Sequence, residues 1–173
     1  MFRRRPVLRT CNDFCRQWNR KVCCVWNDLL RYARISHARK RLLREAMAAL
    51  AIARMAMAFL RFRRIAAWLG TPGVEGPTTA TAEEVYTAQE IGWAVGAVAR
   101  RVPWNGSCLA QALAATGMLR RRGLEGTVSF GARPGGSAGF DAHAWLRLGP
   151  CMVTGGPDHQ RFQAFTSFAR KRP

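Results

Sequence analysis

At Gly126 the spacing of apolar residues changes. Upstream they recur about every 3.6 positions, and downstream they alternate with polar residues. Helix-period text cannot settle in a sheet, and alternating text buries one sheet face only. The chain is therefore expected to place helices first and a small antiparallel sheet after them, an α+β fold.

The punctuation sharpens this order. Ser36 is positioned to cap a helix running to Leu69, where Gly70-Thr71-Pro72-Gly73 stops it. Its middle, Ala46 to Leu60, is apolar except for Arg54. Those 15 residues fall short of the ~20 needed to span a bilayer, so a helix packed on the domain or lying on a surface is expected. After the linker GTPGVEGPTTA, Thr81-Ala82-Glu83-Glu84 is a capping box that predicts a second helix from Ala82 to about Arg101, burying Val85, Ile91, Val95 and Val98. VPWNGS ends it, and Ser107 caps a third helix with Leu109, Leu113, Thr116 and Leu119 on one face, closed by Arg120-Arg121-Arg122-Gly123. TVSFGAR, FDAHAWLRL and CMVTGG then predict three strands, with Val128, Phe130, Ala132, Ala142, Ala144, Leu146 and Leu148 inward and Gly149-Pro150 as the second turn.

The net charge of +18 is concentrated. Residues 1–64 hold 17 Lys/Arg against 3 acidic residues, whereas residues 65–173 hold 11 against 7. We read residues 1–35 as a basic N-terminal extension and residues 36–173 as a single domain. Clustered cations attract nucleic acid, anionic membrane or acidic partners without sequence specificity. Peripheral membrane contact through this basic third is thus an expectation, and specific nucleic-acid binding is not.

Four of the six cysteines, Cys11, Cys15, Cys23 and Cys24, crowd that segment. Their spacing, with His37 beyond, matches no paired zinc signature, so no metal and no cofactor are expected. The opening MFRRRPVLRTCNDF lacks the apolar run of a secretory signal, and reduced thiols in a cytoplasmic protein follow as the expectation.

Cys108 opens the helix capped by Ser107. The free N–H groups and positive dipole end there favour a thiolate and can hold a developing oxyanion. A nucleophilic thiol needs a base, and the region after residue 64 offers His143 and His159. His143 sits mid-strand on the face opposite the Ala/Leu one, together with Asp141, Trp145 and Arg147. The bland alternative is a buried small cysteine and an unrelated histidine.

The order helix-borne Cys, strand-borne His, next strand is that of papain-like and transglutaminase-like folds. SCLAQALAATGMLRRRG, AHAWLRL and VTGG resemble the leader proteases of lasso-peptide biosynthesis, the transglutaminase-like C-terminal part of the microcin-processing B proteins. The resemblance runs from about Arg41 to Phe168 and implies Cys108 as nucleophile and His143 as base. It implies a cysteine peptidase that removes the leader of a precursor peptide and releases the core to an ATP-dependent macrolactam synthetase. The family's separate or fused leader-recognition module has no counterpart here, so a small leader-recognition protein is the implied partner. Rival readings are an acyltransferase or transglutaminase on the same fold, and a basic non-enzymatic binder of nucleic acid or membrane surfaces.

Family members often carry an Asp about twelve residues after the His, and here that place is Gly155. A two-residue Gly149-Pro150 loop would set Gly156 across from His143 and Gly155 one step along. Asp158, two residues past Gly156, is our choice for the orienting carboxylate. Asp141 is its competitor, and a backbone carbonyl or a water are the other possibilities.

Overall fold

Two side-chain caps set the helices that organise the molecule. The computed structural model describes residues 35–104, 106–135 and 139–170. The basic extension and Cys11, Cys15, Cys23 and Cys24 lie outside the described residues. By packing, the chain divides into two units, Met1–Lys40 and Arg41–Pro173. In the first, Ser36 Oγ accepts from the Arg39 N–H at 3.4 Å, a long version of the expected cap, and helix α1 (His37–Phe59) begins. Everything that follows concerns the second.

The single helix expected from Ser36 to Leu69 is two. α1 ends at Phe59 and α2 covers Phe62–Leu69, with Arg61 between them in extended conformation. No Gly or Pro marks the break, and tertiary packing accounts for it. Bending there lets Ile65 and Leu69 enter the core while Phe62 meets the edge of Phe130 at 5.9 Å between ring centroids. The C-terminal carbonyls of α2 are capped from a distance in sequence, Arg120 donating to Trp68 O and Leu69 O at 2.6 Å each.

The capping box forms as expected. Thr81 Oγ1 accepts from the Glu84 N–H, and Glu84 Oε2 accepts from the Thr81 N–H at 2.8 Å, opening α3 (Ala82–Ala99). Ile91, Val95 and Val98 are buried; Val85, at the first turn, is only half-buried, and Ala88 and Ala94 complete the face. Helix α4 (Cys108–Arg120) is central, with Ala110, Ala112, Leu113, Ala114, Ala115, Thr116, Met118 and Leu119 all buried. A run of alanines makes this possible, because small side chains let neighbours approach on several sides. Leu109, expected on the buried face, is half-buried. The Thr116 hydroxyl donates back to Ala112 O at 2.7 Å, which satisfies the one polar group the helix interior buries.

Among the described residues five antiparallel strands form one sheet: β1 (Thr71–Pro72), β2 (Thr127–Pro134), β3 (Phe140–Leu148), β4 (Cys151–Thr154) and β5 (Gln163–Ala169), in the spatial order β1-β5-β2-β3-β4. β1 arises inside what the sequence presents as a stop signal, and β5 was not anticipated. The predicted inward face holds for Val128, Ala144, Leu146 and Leu148; Ala142 is exposed and Phe130 and Ala132 are half-buried, because the sheet outlasts the helices covering it. Leu50, Ile91, Met118, Leu119 and Leu146 are fully buried where helices and sheet meet, each worth about 1.5–3 kcal/mol of transfer free energy.

Candidate active site

Gly106, Ser107 and Cys108 form the corner between α3 and α4. A Cβ at Gly106 would stand 2.8 Å from Ala99 O, so the absence of a side chain lets the start of α4 close on the end of α3. Ser107 Oγ accepts from the Ala110 N–H at 3.4 Å, and Gln111 Nε2 donates back to Gly106 O at 2.7 Å. Cys108 is the first residue of α4, half-buried, with a free thiol. Helix geometry leaves the N–H groups of Cys108 and Leu109 without intrahelical acceptors.

His143 lies on β3, the strand against which α4 packs. Its ring has two aromatic neighbours and one polar contact. Phe162 stacks at 4.9 Å between centroids and Trp145 at 6.0 Å, each inclined by 26°. Nε2 is 3.0 Å from Gly155 O. A carbonyl oxygen only accepts, so Nε2 carries the hydrogen and Nδ1 keeps its lone pair. Of the two neutral tautomers, the contact suits the one in which Nδ1 is a proton acceptor.

Gly155 fills this role through its backbone because no side chain fits. Its φ is +103°, and an added Cβ would collide with the Trp145 Cβ. Gly131, paired with His143 across β2 and β3, plays the matching part on the other side: a Cβ there would lie 2.8 Å from the Trp145 ring, which occupies that space instead. Close to the turn the register is the one expected for a two-residue loop, Leu148 opposite Cys151 and Arg147 opposite Met152. An irregularity between Leu146 and Arg147 then sets Leu146 opposite Thr154, where β4 ends. The pairing of His143 with Gly156 does not form, and Gly155 comes alongside Trp145 with its carbonyl toward His143.

Asp158 stands in the short 3-10 helix Pro157–Arg161, two-thirds exposed, with Oδ1 3.6 Å from Arg161 Nη1. Asp141 Oδ2 accepts from Arg133 at 2.9 Å across the β2–β3 pair, and the Arg133 guanidinium lies over Phe162, 4.9 Å from its centroid. His159 is tilted against Trp145 at 5.9 Å and turns Nδ1 to Gly156 O. Among the described residues no hydrogen bond joins the Cys108 thiol to the His143 imidazole; helix and strand bring them onto packed neighbouring elements. Gly155 was visible in sequence only as the absence of an expected Asp, and Phe162 gave no signal, since its role depends on how the chain returns after β4.

Cys151, the other described cysteine, is on β4, also half-buried, and burial pushes its thiol pKa up. No group of three or more His, Cys, Asp or Glu is placed to hold a metal among the described residues, and none of their helices is long and apolar enough to cross a membrane. Comparison with known families matches residues 49–167, more than half of the chain, to the transglutaminase-like superfamily. No curated protein and no solved structure matches the chain.

Proposed function

The chain belongs to the transglutaminase-like superfamily, and on that premise we propose that it is a cysteine peptidase that removes the leader of a lasso-peptide precursor. The observation that carries the chemistry is the His143 ring held by Phe162, Trp145 and the Gly155 carbonyl, which engages Nε2 and leaves Nδ1 to face a reacting proton. In the proposed reaction Nδ1 takes the Cys108 proton and Sγ bonds to the scissile carbonyl carbon. Charge on the carbonyl oxygen is met by the unpaired N–H groups at the start of α4. The C–N bond breaks as Nδ1–H protonates the leaving amine, and a thioester remains. Water then gives its proton to Nδ1 and attacks the thioester; the Sγ–C bond breaks and the thiol regains its proton.

Orientation of His143 is assigned to the Gly155 carbonyl, with Asp158 as the competing carboxylate to be tested by substitution. In this reading the protein acts in the cytoplasm, receives the precursor from a small leader-recognition protein, and passes the core to an ATP-dependent macrolactam synthetase. The specific role rests on the resemblance of SCLAQALA and AHAW to the leader proteases. The test is product mass after incubation of a lasso precursor with the protein, the leader-binding protein and excess methylamine. Fragments summing to precursor plus one water are the expected result. Methylamide incorporation would make the protein an acyltransferase on the same fold, and unchanged precursor would refute the peptidase reading.

A further inference from the structure

Beyond the first turn of α4, the second half of α1, α2 and the later turns of α4 line an open apolar cavity of 290 Å³ that includes Ile52, Trp68, Leu113 and Gly117, with Arg64 and Arg121 among its walls. That is well above the roughly 10–15 Å³ that admits one water, and an apolar lining gives water few partners. The surrounding surface is unusual for its apolar content: Ile52 is 67% exposed, Met55 56% and Phe59 76%. Its charge is mostly positive, with Glu45 paired to Arg121 and Arg122 at one wall. Residues 46–74 contain Arg54, Arg61, Arg63 and Arg64 and no acidic residue. All four arginines are exposed, and none of them is in an ion pair among the described residues.

The walls are fixed before anything binds. Arg120 places its guanidinium 4.6 Å from the Trp68 ring centroid and donates to the Trp68 and Leu69 carbonyls, while Glu45 joins α1 to Arg121 and Arg122 at 2.9 and 2.7 Å. A concave, braced, apolar floor with cations around it is complementary to an acidic amphipathic helix, whose apolar side chains the cavity admits and whose flanks Ile52, Met55 and Phe59 border. We propose that this groove docks an amphipathic helix of another protein, with apolar anchors in the cavity and acidic residues beside Arg54, Arg61, Arg63 and Arg64. The proposal is independent of the reaction assigned to Cys108.

The test uses the full chain and a fluorescently labelled synthetic amphipathic helix with leucines along one face and glutamates flanking them. Anisotropy is expected to show saturable binding that a scrambled peptide of the same composition does not reproduce. Ile52→Asp, at an exposed position, and Gly117→Leu, which fills the cavity, should each weaken binding by at least about tenfold. Arg64→Glu should weaken it too and should shift preference toward a lysine-flanked version of the peptide. Circular dichroism melts of each variant identify any that fail to fold, and the exposed Ile52 and Arg64 variants keep the test informative if Gly117→Leu does. Absence of peptide binding, binding indifferent to all three substitutions, or binding only to phosphatidylglycerol vesicles would overturn the proposal, the last in favour of a membrane surface.

Discussion

Cys108 and Cys151 are alike in exposure and differ in the backbone around them. Both are free and half-buried. Cys151 sits in an edge strand paired with β3 and begins no helix, and burial raises its thiol pKa. Cys108 begins a capped helix in which the N–H groups of Cys108 and Leu109 have no intrahelical acceptor, on an element packed against the strand that carries His143. Accessibility therefore says little about which thiol is chemically useful. The direction of the backbone at each site says more, and it is encoded by neighbours: Gly106 and Ser107 at one, the Gly149-Pro150 turn at the other.

The sharpest way to break the comparison is to remove each sulfur. Cys108→Ala should abolish precursor cleavage, a loss of at least about 10⁴-fold for a covalent nucleophile, with a melting temperature near that of the wild type. Cys151→Ala should retain activity within a few-fold. If the Cys151 variant is the dead one, the roles assigned to the two regions are reversed.

A second break is at the carbonyl that holds His143. Gly155→Ala introduces a side chain at φ +103° and against Trp145. Denaturant unfolding should show a loss of about 2–4 kcal/mol from strain and overpacking, and activity measured where the variant is still folded should fall as the ring loses its acceptor. Unaltered stability and turnover would mean that the backbone here is not the one described. The carboxylates provide the contrast. Asp158→Asn and Asp141→Asn should leave kcat within a few-fold, since their carboxylates reach Arg161 and Arg133; a loss approaching 10⁴ in either variant would transfer the orienting role to that side chain.

The smallest effect concerns the brace between α1 and α4. The hydrogen bond from Arg122, opposed by burial and aided by Arg121, holds the Glu45 carboxyl below its usual pKa. A depressed folded pKa contributes stability above the unfolded value, about 4.3, and that contribution is lost as pH falls through the folded one. Glu45→Gln should accordingly cost about 1 kcal/mol or less at neutral pH, with the difference from wild type vanishing in acid. A difference that persists unchanged at low pH would exclude the ion pair as its source.

Much of the fold is legible in the sequence. Both helix caps, the hairpin turn and the α+β order follow from local chemistry that acts within a few residues, so Thr81, Ser107 and Gly149-Pro150 could be read directly. The break at Arg61 could not, because it is set by where Ile65 and Phe62 find partners, far away in sequence. β5 escaped for a related reason: only Phe168 and Ala169 of QAFTSFA are buried, and the strand is specified by its two neighbours. At the site, the positions of Cys108 and His143 in their elements were readable. The Gly155 contact was not, because a carbonyl leaves no trace in residue identity and depends on a register shift in β3–β4.

The central claim is that Cys108 is the activated thiol and His143 its base, and it can be tested without knowing the substrate. The full-length protein is treated with limiting iodoacetamide at neutral pH, quenched at intervals and digested, and carbamidomethylation of the Cys108 and Cys151 peptides is followed by mass spectrometry. Cys108 should be labelled much faster than Cys151 despite similar exposure, and His143→Gln should slow labelling of Cys108 while leaving Cys151 unchanged. Equal rates at the two cysteines in the folded wild type, or a Cys108 rate indifferent to His143, would contradict it.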